Sequence, residues 1–284
     1  VRMTGARGGA ATGLVLWLLS GGAPAIAQAE DGLDPDRDTV TIGIGGALVP
    51  RYDGADSTRF VPGGVIRGKL SGFAFSTVGT TLYVDLVREP ADALDIQFGP
   101  VAGLNLNRTT RKLGDARVSA LGKRSVAVEL GGYAGIGKTG VVTSAYDTLS
   151  LSVSWQHDVA GAHGSFVVSP TLSYGTPLSR TTYVGLAAAA NIVGGDYARY
   201  YFGVTPAGAA ASGLPAYTLD GGIKDINFKV LFGQSLSGDL RRGWNLFAVG
   251  GYARLLGDFK RSPLVSVAGD ADQWVGALGV GYTF

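Results

Sequence analysis

The sequence predicts an all-β fold: an antiparallel transmembrane β-barrel of about 12 strands, with about 10 as the alternative count. Three observations predict it. Segments of roughly ten residues alternate apolar and polar side chains with period two. The connections between them alternate short and long, as in barrels with short periplasmic turns and longer outer loops. Finally, beyond the first residues no stretch is long and apolar enough to cross a membrane as a helix. A membrane form must then be a closed barrel, which satisfies its own backbone hydrogen bonds.

Composition sets limits on function. The 284 residues suffice for one large β domain or two small ones. The chain has 46 glycines, 2 histidines and no cysteine. Lack of cysteine is compatible with an oxidising compartment and leaves no disulfide framework. With so few histidines and no thiol, the usual metal ligand sets are missing, and neither a metal nor another cofactor is expected. The formal charge is +2. Two of the basic groups, Arg2 and Arg7, precede the patterned region, and the remainder is close to neutral. Nothing in that balance calls for a nucleic-acid partner.

The first 29 residues read as a cleaved signal peptide. Arg2 and Arg7 form a basic region, Ala10 to Leu19 a short apolar core, and Ala25-Ile-Ala27 or Ala27-Gln-Ala29 the small-residue cleavage site. Residues 30–38 form an acidic lead-in. Asp34, Asp36 and Asp38 lack the glycine turn and bidentate glutamate of a calcium loop, so a solvated linker is the reading.

The barrel is predicted over 39–284. Val40, Ile42 and Ile44 alternate with threonine and glycine in the first strand. Ile66 and Leu70 then oppose Arg67 and Lys69. Phe73 and Phe75 hold one phase and Leu82, Val84 and Leu86 the other, so a tight turn at Gly79 must reset the register. Counting 72–78 and 80–87 as separate short strands gives 12; joining them leads to 10. Leu94, Ile96 and Phe98 alternate with Asp95 and Gln97. Val126, Val128, Leu130 and Ile136 alternate with polar and small residues, as do Leu149, Leu151, Val153 and Trp155. Phe166, Val168, Leu172 and Tyr174 follow. The Ala187–Ala190 run lies in a strand-like frame. Ile226, Phe228, Val230 and Phe232 face away from Asp225, Asn227 and Lys229, and Trp244, Leu246, Ala248 and Tyr252 lead to the last strand.

That last strand carries Trp274, Leu278, Val280, Tyr282 and Phe284 on one face. Its aromatics suit the interface girdle and its aliphatics the lipid band. It is expected to close the barrel against outer-membrane lipids and to serve as the signal read by barrel-assembly machinery. Counting back from it, 257–272, 194–222, 158–163, 107–122 and 49–60 fall outside, and 237–242, 176–180, 138–144, 88–92 and 70–72 fall on the periplasmic side. The 194–222 connection is rich in aromatic and turn residues, which points to an ordered loop over or in the barrel mouth.

Three patterns touch on chemistry. Gly132 to Thr139 matches a phosphate-binding loop, but it lies within a period-two strand with no helix to supply N-terminal amides. His163-Gly-Ser165 resembles the His-x-Ser pair of outer-membrane lipid hydrolases, but Phe166 follows where those enzymes have Asn; a turn histidine is the simpler reading. No catalytic residue is assigned. Arg67, Lys69, Asp85, Asp95, Glu129, Asp225 and Lys229 all phase toward the lumen, where mixed charge favours ion-pair filling over a charge-selective channel.

The chain resembles the MipA/OmpV family of Gram-negative outer-membrane proteins. The resemblance rests on Pro50, Tyr52, Gly54 and Asp56 after the first strand, and on Tyr201, Phe202, Gly203, Val204 and Thr205 with Ser212-Gly-Leu214 and Tyr217 in the long loop. Gly222-Ile-Lys-Asp225, then Leu255, Leu256, Gly257 and Asp258 with Ser262 and Pro263, and the terminal Gly281-Tyr-Thr-Phe284 complete it. It implies a non-enzymatic barrel of the cell outer membrane. It also implies a scaffold for peptidoglycan enzymes, with a lytic transglycosylase and a penicillin-binding protein as partners. A small-solute pore, or a surface-binding barrel using the 194–222 loop, is the alternative.

Overall fold

A computed structural model describes residues 38–88 and 94–284. The signal peptide expected over 1–29 and nearly all of the acidic lead-in lie outside the described residues. So does most of the 88–92 turn.

Twelve strands form one closed antiparallel barrel in which every strand pairs with its sequence neighbours and the last pairs with the first. They are β1 (Thr39–Pro50), β2 (Thr58–Leu70), β3 (Phe73–Val78), β4 (Thr81–Val84), β5 (Asp95–Asn105) and β6 (Ala127–Thr139), followed by β7 (Thr148–Asp158), β8 (Phe166–Pro177), β9 (Thr182–Val193), β10 (Gly222–Ser235), β11 (Gly243–Leu255) and β12 (Asp272–Thr283). Gly79, at φ 63°, turns the chain between β3 and β4, so the two phases predicted there are two short strands. The alanine run of β9 is extended, each alanine pairing into β10.

The outward face is apolar. Ile44, Phe60, Phe98, Trp155, Phe228 and Leu278 are all about half exposed or more. Aromatics cluster at both rims: Tyr252 against Trp274 near one end, and Trp244, Tyr282 and Phe284 near the other. β12 pairs with β1 from Leu48↔Gly276 to Thr41↔Thr283 and with β11 along its length, so the terminal strand closes the wall.

The inward face departs from a uniformly polar lumen. Phe247, Leu231, Val249, Val65 and Ala277 meet in an apolar belt along the inner wall of β10–β12 and β2, and Ala47, Val49, Val61 and Val275 extend it along β1, β2 and β12. The Phe247 ring occupies the space where a side chain at position 279 would stand, so Gly279 is needed for the belt to pack. One end of the barrel carries short turns. Among the described residues the other carries five short helices: α1 (Ala116–Ala120), α2 (Gly195–Phe202), α3 (Pro206–Ser212), α4 (Gly257–Arg261) and α5 (Pro263–Ser266).

Candidate functional site

The long-loop end is sealed by a packed cap. The 194–221 connection enters it through α2, whose Tyr197, Ala198, Tyr201 and Phe202 are buried. They pack on Phe259 of α4 and Val265 of α5; the Phe202 and Phe259 rings meet edge to face at 5.2 Å. A second cluster joins Tyr52, Leu113, Val118, Val204, Leu214 and Leu264, drawn from the β1–β2, β5–β6, β9–β10 and β11–β12 connections. Polar side chains tie these loops together. Tyr52 Oη donates to the carbonyls of Leu264 (3.1 Å) and Ala268 (2.8 Å). Ser262 Oγ donates to the Phe202 carbonyl at 2.6 Å, and Tyr217 Oη to the Asp258 carbonyl at 2.9 Å. Thr205 caps α3, with Pro206 at its first turn and Gly213 in the left-handed conformation at its end.

Arg108 runs through the middle of the cap, 1 % exposed. Its guanidinium donates to the carbonyls of Tyr201 (3.0 Å) and Gly122 (3.4 Å) rather than to a carboxylate. Burial, reinforced by nearby Arg124, pulls its pKa down to about 10. Burial likewise pushes the Tyr201 phenol well above its ordinary range.

Beneath the cap lies a polar chamber. Lys224 Nζ, on a side chain 6 % exposed, reaches Asp53 Oδ2 at 2.8 Å and Asp225 Oδ2 at 3.3 Å. It also stands 5.7 Å from the Tyr197 ring centroid. Asn191 and Asn227 donate to Asp225 at 2.9 and 3.0 Å. A register shift between Ile223 and Asp225 turns Lys224 and Asp225 inward together. Across the chamber, Glu129 Oε1 accepts from Asn105 Nδ2 at 3.0 Å and meets His163 Nε2 at 3.1 Å. Asp53, Asn105, Glu129, Asn191, Tyr197, Lys224 and Asn227 line a cavity of about 190 Å³ that extends to Arg59, Gly79, Thr80 and Leu104 at the wall.

The charges assigned to the lumen from the sequence stand in two groups rather than one network. Glu129, Asp225 and Lys229 belong to the chamber. Asp85 and Asp95 lie nearer the short-turn end, where Asp85 accepts from the Val87 and Phe98 amides and Asp95 from Gln97. Arg67 and Lys69 are on the short-turn half of β2, past the Val65 belt position. Sequence reasoning did not place Asp53, Lys224 or Asn191 in the chamber, and it read His163 only as a turn residue. For Lys224 a signal existed: Ile223 and Ile226 both face outward yet stand three apart, a spacing only a bulge permits.

His163 occupies the β7–β8 turn, as expected, but is buried rather than solvated. Its Nδ1 accepts the Ser165 backbone N–H at 3.1 Å, which leaves Nε2–H to donate to Glu129. Both ring nitrogens are thus engaged away from Ser165 Oγ, and Asp158 is spent on the turn amides of Ala160, His163 and Gly164. This is not a nucleophile–base pair. The phosphate-loop-like run lies wholly inside β6. Among the described residues no cluster of metal-binding side chains occurs.

The motif residues from four separated stretches converge in the cap. Tyr52 bonds to the segment after Ser262-Pro263; Gly54 packs on Val265 and accepts the Asp270 amide; Val204 bridges Tyr217; Ser262 holds Phe202. Pro50 ends β1, while Asp56 sits in the same loop as Tyr52. Gly203 ends α2 and Gly257, at φ 49°, opens α4.

Solved structures resembling this chain include an outer-membrane channel from Pseudomonas putida F1 (13% identity, 90% of this chain and 100% of that one, TM-score 0.40). A FadL homologue (10% identity, 87% and 90%, TM-score 0.33) and OccK7 (8% identity, 87% and 98%, TM-score 0.30), both from Pseudomonas aeruginosa, also match. At these scores the likeness carries no argument about function. No curated protein matches by sequence. The family model described as "MltA-interacting protein MipA" matches residues 42–284, nearly all of the barrel and the whole cap. The chain therefore belongs to the MipA family of outer-membrane β-barrels.

Proposed function

We propose that this barrel is a non-enzymatic, non-transporting scaffold whose short-turn rim docks peptidoglycan enzymes. Short turns face the periplasm in such barrels. The observation that carries the proposal is the character of this rim. Val142, Leu178 and Leu236 are each more than 60% exposed at the tips of three successive turns. Lys138, Arg180 and Arg242 flank them. The turns are held rigid: Asp147 accepts from the Val141, Val142, Thr143 and Ser144 amides, Ser179 Oγ from Thr181 and Thr182, and Ser235 Oγ donates to the Asp239 carbonyl. Apolar tips on a preordered basic rim suit an acidic-edged protein surface at low ordering cost. The family's name supplies the partner class, a lytic transglycosylase of the MltA type; a penicillin-binding protein is the second expected partner.

The packed cap speaks against a pore gated by the 194–222 loop. In the same reading the motif residues maintain the cap, the chamber charges fill the lumen as ion pairs, and the outward face of β12 acts in assembly. Immobilised barrel should capture a purified transglycosylase of this class. Val142→Asp/Leu236→Asp should abolish capture while leaving heat-modifiable gel migration intact. Capture no better than by an unrelated barrel would sink the scaffold. Steady single-channel conductance in a planar bilayer would sink the non-transporting part.

A further inference from the structure

The barrel wall is incomplete on one side. β3 and β4 are only 6 and 4 residues long, against 13 in β2 and 11 in β5. β3 pairs with β2 from Arg67 to Leu70, and the Thr77 side chain extends the contact to Ile66. Above that level no strand pairs with the far edge of β2 among the described residues. Backbone polar groups alternate sides along a strand. Ile66 directs its N–H and C=O toward β3, so Gly64, Pro62 and Phe60 direct theirs into the gap. Pro62 brings no N–H, as edge positions favour.

The gap is a bounded window. Its floor is the β3–β4 turn at Gly79 and Thr80, and its far side is β5, where the Leu104 amide donates to the Thr80 carbonyl. Its roof is the β5–β6 loop, tied across by Asn107 Oδ1 accepting the Asp53 amide at 3.1 Å. It lies within the apolar band. Phe60, 68 % exposed, pairs with Leu48, which pairs with Gly276, one outward position inside Trp274. The chamber cavity reaches this window.

At its inner rim the window presents donors without acceptors. Val49 pairs with Arg59, and the Arg51 amide bonds to Ser57, which sets Arg51 and Arg59 diagonally across the hairpin. Both line the cavity. Among the described residues neither has an ion-pair partner; Arg59 Nε and Asn107 Nδ2 are buried without a hydrogen bond. Two guanidiniums and an amide facing one opening form an anion site.

We propose that this window seats a phosphate-bearing lipid of the outer leaflet. Its head group enters toward Arg51, Arg59 and Asn107, and its chains stay outside along Phe60 and Ile66. The lipid source is favoured over a soluble anion because unpaired backbone facing hydrocarbon is costly. Head-group oxygens with their water satisfy Phe60 and Gly64, while the chains meet an apolar wall.

The test uses the full chain in phosphatidylcholine nanodiscs doped with phosphatidic acid, with retained lipid counted by native mass spectrometry. The wild type should retain phosphatidic acid selectively. Arg51→Gln/Arg59→Gln should lose at least about tenfold in retention, and Arg51→Lys/Arg59→Lys should keep most of it. Undiminished retention in the glutamine pair overturns the site, as does equal loss in the lysine pair. Displacement by an equal concentration of inorganic phosphate would show a soluble-anion site and overturn the lipid source. A second polypeptide that excludes the lipid would mark the free β2 edge as a strand-pairing surface, and the lipid assignment falls.

Discussion

Replacing Phe202 with alanine tests whether the cap is a plug that can open independently of the wall. Phe202 is fully buried, its ring meets Phe259 at 5.2 Å, and its carbonyl holds Ser262. Truncating such a ring costs about 3–5 kcal/mol, and this includes a share of about 0.5–1.5 kcal/mol for the aromatic pair. The wall does not depend on this contact, since its twelve strands close through their own ladders. The cost therefore falls on local opening of the cap. At about 1.4 kcal/mol per factor of ten, amide protection over 195–221 should fall by about a hundredfold to a few thousandfold.

Hydrogen exchange read by mass spectrometry on the reconstituted barrel measures this segment by segment. Exchange in the β-strands should barely change. Conductance should not change, because the wall and the inner-wall belt of Phe247, Leu231 and Val249 below the chamber are untouched. If protection in the cap is unchanged while the whole barrel melts earlier, cap and wall form one cooperative unit and the reasoning fails. If conductance changes, the wall does depend on the cap contact.

Three further perturbations have defined outcomes. Lys224→Met leaves Asp53 and Asp225 facing each other without their cation and should cost about 3–5 kcal/mol, seen as a lower temperature of heat modification; adding Asp225→Asn should recover part of it. Ser262→Ala strips the Phe202 carbonyl of its buried donor and should cost about 1–3 kcal/mol, measured as faster exchange in 199–204. Asp147 is held far below the ordinary carboxylate range: burial opposes this, but the turn amides of Thr143, Val141, Ser144 and Val142 outweigh it. Its folded pKa lies below the unfolded one, so it stabilises the turn at every pH above the ordinary carboxylate range, and the contribution is lost as pH falls through the lowered value. Asp147→Asn should release the Val141–Ser144 amides to rapid exchange at neutral pH; unchanged protection there would show that the carboxylate does not organise the turn.

The wall was legible because lipid enforces a strict rule. Each strand must show hydrocarbon-compatible residues every second position, and Leu149-Ser-Leu-Ser-Val-Ser-Trp155 can hardly be read otherwise. The Gly79 turn was legible for the same reason, since the phase of Phe73 and Phe75 cannot continue into Leu82. The interior was less so. Period two says which residues point inward, not which of them meet. The Phe247 ring can lie over β12 and β1 only because Gly279 and Gly43 leave room there. The chamber depended on Asp53 and His163, loop residues whose direction no periodicity encodes. The convergence of Tyr52, Phe202 and Ser262 spans more than two hundred residues of sequence and follows from closure of β12 onto β1.

Cap and window together constrain how anything reaches the chamber. A solute entering through the mouth must displace Tyr201 and Phe202, and each large buried ring adds kilocalories to that opening. A solute entering from the short-turn end passes the apolar belt on the inner wall of β10–β12 and β2, where a charged group is partly desolvated. The window asks for neither, because its edge is already open and its rim carries Arg51 and Arg59, which have no ion-pair partner among the described residues. Filling the window should then protect the chamber in a way that loosening the cap does not undo. In Phe202→Ala barrels, phosphatidic acid should remain bound at the wild-type level. Loss of lipid in step with cap protection would show that head group and cap share one site, and the lateral route would be wrong.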